Sequence, residues 1–388
     1  MKPIKSTNTT YDIAVCGGGF AGISAALAAA REGRRVILFE KEYMLGGLGT
    51  AGLVTIYLPL CDGVGHQVSF GIAEELLRLS VTYGADAMYP ANWLDSDGPR
   101  GEEYHRFMVQ YNPHVFAILV ERLLTEAGVD ILYGSYVVDT EVEDGRVTAL
   151  HVENKSGRTV YAVCAVVDAT GDADIVHFAG APTATFGRGN ILAGWYYYTD
   201  EGGYKLQGLG AADNFQGPPT GERFSGLDGA EISDMVRKSH EFTLRHYLQK
   251  REENPSVSLS TIASIPQLRM TRRIVGEYEM TEGDDHACFT DSVGMVGNWK
   301  RRGPIYEIPF RALYNKEVKN LITAGRCIST DDVLWDAMRV IPCCAVTGQA
   351  AGTAAAMTDD FSTLDVSSLQ EKLRAGGVRL HIEEIDIG

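Results

Sequence analysis

Apolar positions along the chain follow two rhythms near its ends and neither rhythm in its middle. Tyr11-Asp12-Ile13-Ala14-Val15-Cys16 is a short apolar run that reads as a strand, and an alanine-rich helical pattern follows it as far as Arg31. The helix closes at Gly33, and Arg35-Val36-Ile37-Leu38-Phe39 has the unbroken apolar character of a buried parallel strand. A helix is predicted over 69–83, with Ile72, Leu76, Leu77 and Leu79 apolar. Asn112-Pro113 then opens another, with Val115, Phe116, Leu119, Val120, Leu123 and Leu124 on one face and Gly128 at its close. Between them, 84–112 is irregular and rich in Asp, Gly, Pro and aromatics. A strand at 130–133 precedes period-2 runs at Tyr136–Val142, Arg146–Val152 and Thr159–Val163. Glu143-Asp144-Gly145 and Lys155-Ser156-Gly157 break these runs, which predicts hairpins. Ala165-Val166-Val167-Asp168 returns as a separate buried strand. After Gly180-Ala181-Pro182 the strand–helix alternation stops: 183–304 carries the aromatic run Trp195-Tyr196-Tyr197-Tyr198, a Gly/Pro/Asn-rich linker at 208–221, and a long amphipathic helix from about Gly229 to Lys250. Strand patterns resume at Ile305–Leu313 and Asn320–Thr323, and Cys343–Met357 is a helix of small residues.

The turn between the first strand and helix holds Gly17, Gly19 and Gly22 at GxGxxG spacing. In that arrangement the first glycine allows a tight turn, the second lets backbone approach a pyrophosphate, and the third lets helix and strand pack closely. Glu40 ends the next strand about 20 residues on, where a carboxylate would accept hydrogen bonds from a ribose diol. Gly46-Gly47-Leu48-Gly49-Thr50-Ala51-Gly52 is too glycine-rich for regular structure and predicts close approach of backbone to the same ligand.

Taken together, GGGFAG, then FEK, then GGLGT resemble the start of the two-dinucleotide-binding-domain flavoproteins of the glutathione reductase superfamily. Ala51–Val54 and Gly71–Leu76 resemble the FAD-dependent oxidoreductases within it, relatives of the fumarate reductase flavoproteins. The resemblance implies FAD as cofactor and an α/β fold. A Rossmann-like FAD-binding domain, a parallel sheet plus a β-meander, would span 1–180 and 305–388, with an inserted α+β substrate domain at 181–304. It also implies cofactor roles for Gly17, Gly19, Phe20, Ala21, Gly22, Glu40, Lys41, Gly46, Gly47, Leu48 and Thr50. Further roles fall to Val137 beside adenine, Ala169, Thr170 and Gly171 as a second fingerprint, Gly325 and Arg326 along the ribityl and pyrophosphate, and Ile341 at the start of a helix aimed at the flavin.

Composition narrows the partners. A formal charge of -16 without a Lys/Arg-rich run argues against nucleic acid or an anionic membrane. Seven cysteines without CxxC spacing predict neither a structural zinc cluster nor a redox disulfide, and fit a reducing compartment. Residues 1–10 lack an apolar core and no apolar run approaches a membrane span, so the expectation is a cytoplasmic protein.

Candidate chemistry beyond the cofactor rests on three residues. Pro266–Tyr278 resembles a segment recurrent in the same group. On strand periodicity Arg269, Thr271 and Arg273 share a face, where an arginine fork could hold an acidic substrate or polarise a carbonyl; pairing with acidic residues is the alternative. His66, in a loop that the resemblance puts near the flavin, could donate a proton, tether the flavin or be structural. Trp195–Tyr198 could line an aromatic pocket or fill a core. Two carboxylates beside His286 lack helical spacing, and no metal is expected. No second GxGxxG marks a nicotinamide domain, leaving oxygen, a quinone or a protein carrier as electron acceptor. The expected function is hydride transfer between a small acidic or aromatic substrate and flavin N5, with oxidation of an alcohol or amine C–H favoured over reduction of an activated C=C. An FAD protein without its own substrate is the alternative from another class.

Overall fold

In a computed structural model, the described residues are 5–6, 10–88, 108–210 and 221–385; parts of the irregular stretch and of the linker, 89–107 and 211–220, fall outside them. Strand β1 (Tyr11–Cys16), helix α1 (Phe20–Arg31) and strand β2 (Val36–Phe39) form where the pattern places them. They are followed by β3 (Asp130–Leu132) and by β4 (Tyr136–Glu143), β5 (Arg146–Asn154) and β6 (Gly157–Asp168), then by β7 (Leu321–Thr323). Parallel pairing gives the order β3-β2-β1-β6, with β7 alongside the end of β6. Sequential parallel strands need helical crossovers, and such a sheet is buried on both faces, which is why β1 and β2 read as apolar runs.

The third meander strand and the last parallel strand are one element. Sequence reading splits them at Cys164, but β6 runs unbroken for 12 residues. Its first half pairs antiparallel with β5 (Ala149↔Ala162) and its second half pairs parallel with β1 (Cys16↔Asp168). A change of neighbour, which periodicity does not register, separates the two halves.

Beyond the parallel sheet, Tyr196–Asp200, Gly203–Gln207 and Ser258–Ile262 form a three-stranded antiparallel sheet, and Gly229–Glu253 is a helix capped by the Asp228 side chain. Tyr196, Tyr197 and Tyr198 are buried, so the three tyrosines of the aromatic run fill a core, while Trp195 is only half-buried; Tyr197 Oη lies 2.6 Å from Thr55 Oγ1. The expected strand alternation through Arg269 does not form. The side chain of buried Asn190 accepts the N–H groups of Arg269 (2.8 Å) and Met270 (3.0 Å) and donates to Met270 O (2.6 Å). With these backbone groups satisfied by a side chain, pairing begins only at Arg272–Ile274, against Thr183–Thr185.

Helix α2 (Ile341–Met357) lies against α1, and both are almost wholly buried. Their backbones approach at glycines: a Cβ on Gly348 would stand 2.3 Å from Ala21 O, and one on Gly352 2.1 Å from Ala25 O. Neither acceptor is a side-chain end that can swing away. Gly348→Val and Gly352→Val are therefore each expected to lower stability by about 3 kcal/mol, at the upper end of overpacking costs. The measurement is the urea midpoint of the purified protein; an unchanged midpoint would mean the helices separate freely.

Candidate cofactor and substrate site

A long cleft opens where β1, β2, β6 and β7 end, the crevice at which open parallel sheets bind ligands. Gly17, Gly19, Phe20 and Ala21 line it from the first turn, Glu40 and Lys41 from the end of β2, Gly46, Gly47 and Leu48 from the glycine loop, and Val137 from β4. Ala169, Thr170 and Gly171 follow β6, Gly325 and Arg326 follow β7, and Ile341 opens α2. Gly22 and Thr50 are not on this surface. Gly22 sits against the turn itself, where a Cβ would be 1.8 Å from Gly17 O; Thr50 is buried, its hydroxyl donating to Leu45 O at 2.6 Å. Gly17 has φ +101°, and a Cβ there would be 2.5 Å from Ala169 O. Gly19 differs from both: a Cβ would meet nothing within 4 Å, because Gly19 faces the open cleft.

Two helix N-termini face the same space. The N-cap residues Gly19 of α1 and Val340 of α2 offer no side-chain cap, so first-turn N–H groups and the positive dipole ends are left for a ligand. At the end of β2, Glu40 is buried, and its carboxylate accepts Gly18 N (2.6 Å) and Glu42 N (2.8 Å). Burial raises its pKa, and the two N–H groups pull the other way. Arg326 donates from Nε to Gly171 O (2.9 Å) and pairs with Asp172 (2.7 Å), which ties β7 to the end of β6.

The cleft continues past Ile265, Pro266 and Leu268 to Arg339 and Cys344. The pattern did not single out Ile265 or Arg339; the signal for Arg339 is its place two residues before a helix start. Behind Arg339 lies Arg269, 2 % exposed, with no hydrogen-bond partner on either terminal nitrogen. Its guanidinium is 5.9 Å from the ring centre of Trp195, whose Nε1 is likewise buried and unpartnered. Burial and the neighbouring positive charge of Arg339 lower the Arg269 pKa to about 9, with Asp336 opposing. Asp336 is itself engaged by Arg339 and Lys300, and its backbone carbonyl accepts Trp299 Nε1 at 2.9 Å. Arg273 points to a different partner, Glu279 at 2.6 Å, and stacks over Trp335. The shared strand face expected for the two arginines is thus replaced by one paired and one unpaired guanidinium. His66 does not line the cleft. It lines a separate recess with Asp285, His286 and Arg302, and Asp62 holds it by accepting both its Nδ1 (2.7 Å) and its backbone N–H (3.1 Å).

The family model described as FAD dependent oxidoreductase matches residues 12–192 and 220–373. The chain belongs to this family. Its cofactor is FAD. Among curated proteins it is 31% identical over 161 residues to the tRNA uridine 5-carboxymethylaminomethyl modification enzyme MnmG of Thermus thermophilus, covering 40% of this chain and 24% of that one. It is 27% identical over 186 residues to a vinyl phenol reductase of Lactiplantibacillus plantarum, covering 42% and 38%. The chain therefore spans well under half the length of these relatives. Among solved structures, a geranylgeranyl bacteriochlorophyll reductase-like protein from Thermoplasma acidophilum aligns over 98% of this chain and 86% of its own, with a TM-score of 0.49 and 14% identity. Among the described residues no helix is long and apolar enough to cross a membrane.

The cleft fits FAD on its own chemistry: glycines that admit no side chain, two uncapped helix starts for anionic groups, and a carboxylate at the end of β2. Two glycines of one motif should then fail differently. Gly19→Val is expected to leave apoprotein stability within ~0.5 kcal/mol while weakening FAD binding at least about tenfold, some 1.4 kcal/mol. Gly22→Ala should destabilise the apoprotein by several kcal/mol, since its methyl would meet backbone. Flavin titration with thermal unfolding of the apoprotein checks both. Arg269→Met should stabilise the substrate-free protein at pH 7 by about 1–3 kcal/mol by removing an unpaired buried charge. The sign follows from a base whose folded pKa is depressed: its penalty is full below about pH 9 and fades as pH rises through that value, so the gap should narrow at pH 10. Equal stability at both pH values would mean the guanidinium is solvated.

Proposed function

We propose that the protein oxidises the C–H bond next to nitrogen in a carboxylate-bearing amine, with residues 181–304 supplying the substrate side of the site. Bound FAD supplies the two-electron acceptor for that hydride. The observation that carries the reading is the unpartnered, buried Arg269 beside an unpartnered Trp195 Nε1, two donors that a carboxylate would satisfy together. Trp195 offers an apolar face as well, which suits a substrate with an aromatic part.

Charge around this end of the cleft favours an amine over an alcohol. Arg269, Arg339 and Lys300 are gathered about the single carboxylate of Asp336. Excess positive charge disfavours an ammonium ion and favours the neutral amine, whose lone pair forms the C=N bond as the hydride leaves. The N–H proton is then released to water, so no base is needed. An alcohol would need one, and the cleft's carboxylates at this end are engaged, Asp172 by Arg326 and Thr271 and Asp174 by Arg272, while burial holds the Cys344 thiol up at about 11. A second reading, reduction of a C=C bond conjugated to a carboxylate, draws on the same cations as stabilisers of developing enolate charge and on the similarity to the vinyl phenol reductase. For reoxidation we infer oxygen, a quinone or a protein carrier, in a reducing cytoplasmic setting that suits seven free thiols.

Anaerobic bleaching of the flavin absorption separates these readings. Amines bearing a carboxylate are expected to bleach it, their neutral amides not, and Arg269→Met should weaken the acid at least about 30-fold, the loss of a charge-assisted pair of roughly 2 kcal/mol. Bleaching by amide and acid alike would remove Arg269 from substrate binding. Reoxidation of chemically reduced flavin by an unsaturated acid, with no bleaching by any amine, would establish the second reading instead.

A further inference from the structure

Away from the cleft, three side chains that the sequence keeps far apart converge. Cys288 follows the turn at 282–284, Glu307 lies in the strand Ile305–Pro309, and His381 sits just before the C-terminal turn Ile382–Glu384. Cys288 Sγ is 4.0 Å from His381 Nδ1, and Glu307 Oε2 is 3.1 Å from the same nitrogen; the three ligating atoms all lie within 4.8 Å of one another. We propose that Cys288, Glu307 and His381 form a zinc site that clamps the C-terminal segment to the strand Ile305–Pro309, with a fourth position open to water on the exposed side of Cys288.

Geometry separates this reading from a proton relay. A relay of the Cys–His–Glu kind engages the two ring nitrogens separately, one toward the thiol and the other toward the carboxylate. Here thiol and carboxylate both approach Nδ1, which leaves no path through the ring and describes instead a point shared by three donors. Around a tetrahedral zinc with bonds of about 2.3 Å to sulfur and about 2.0 Å to nitrogen and oxygen, the S···N and N···O separations come to about 3.5 and 3.3 Å. The observed 4.0 and 3.1 Å need only small adjustments.

The surroundings suit a cation. Glu307 is 1 % exposed, and its carboxylate is oriented by Phe289 N on Oε2 (2.8 Å) and Ile382 N on Oε1 (3.1 Å), the outer support that ligating carboxylates have. One thiolate, one imidazole and one carboxylate make a mixed donor set that matches zinc better than magnesium or calcium, which prefer all-oxygen shells. No pair of the three stands at a recognised ligand spacing, since Cys288 and His381 are 93 positions apart and Glu307 and His381 are 74 apart, so only the fold brings them to one place.

The test uses the FAD-loaded protein after dialysis against a chelator. Titration with Co2+ is expected to give tetrahedral ligand-field bands to the red of the flavin absorption, saturating at one equivalent and erased by one equivalent of Zn2+. Cys288→Ser and His381→Gln should each weaken Zn2+ binding at least 100-fold without loss of flavin. Should either variant lose flavin or fold, the wild-type protein still decides: Zn2+ should slow alkylation of Cys288, followed by mass spectrometry, at least tenfold. Absence of cobalt bands, Zn2+ binding unchanged in both variants, or alkylation of Cys288 indifferent to Zn2+ would each overturn the proposal.

Discussion

The contact between α1 and α2 sets the geometry of everything that binds. At Gly348 and Gly352 the two helices touch backbone to backbone, which brings their axes closer than any side chain would allow. Because α1 starts at the first glycine turn and α2 starts at Ile341, this contact places two uncapped N-termini on one cleft. Their dipoles add where a dinucleotide carries its negative charge at one end and where a reduced flavin would carry it at the other. Neither helix is strongly amphipathic, and neither needs to be, since each is buried on nearly every side.

Much of this was legible in the sequence because backbone requirements leave direct marks. A glycine that must pass a carbonyl, as Gly17 passes Ala169, cannot be replaced by another residue type, and a strand buried on both faces has to be apolar throughout. Side-chain destinations leave no such marks. Arg269 and Arg273 stand four residues apart in one segment, yet one is paired with Glu279 and the other is unpaired, a difference set by Asn190, Trp195 and Asp336 from distant parts of the chain. His66 lies off the cleft for the same reason: the loop holding it folds around its own Asp62. The run Trp195–Tyr198 left pocket and core equally open, and only pairing with Gly203–Gln207 and Ser258–Ile262 decides that its tyrosines point inward.

Arg269 also marks a place where the fold carries a local cost. A buried cation without a hydrogen-bonded anion is among the least favourable arrangements a fold can hold, and the surrounding structure must over-determine it. Asn190 does so by fixing the backbone of Arg269 and Met270, and the engagement of Asp336 by Arg339 and Lys300 keeps the nearest carboxylate occupied. These contacts leave the two terminal nitrogens of one buried guanidinium without a partner.

The unbroken strand β6 belongs at once to the meander and to the parallel sheet, so the surface beside Val137 and the fingerprint at Ala169–Gly171 are measured off a common ruler. Side chains along a strand alternate between faces, and parity therefore links the two sheets. Loss or gain of one residue near Cys164 would leave each sheet able to pair but would turn the meander's inner face outward relative to the cofactor cleft. Insertions in the turn at Asp144-Gly145 carry no such penalty. Length variation in this region should accordingly accumulate at the hairpin tips and be excluded from the middle of β6, a constraint imposed by counting rather than by any contact of Cys164 itself.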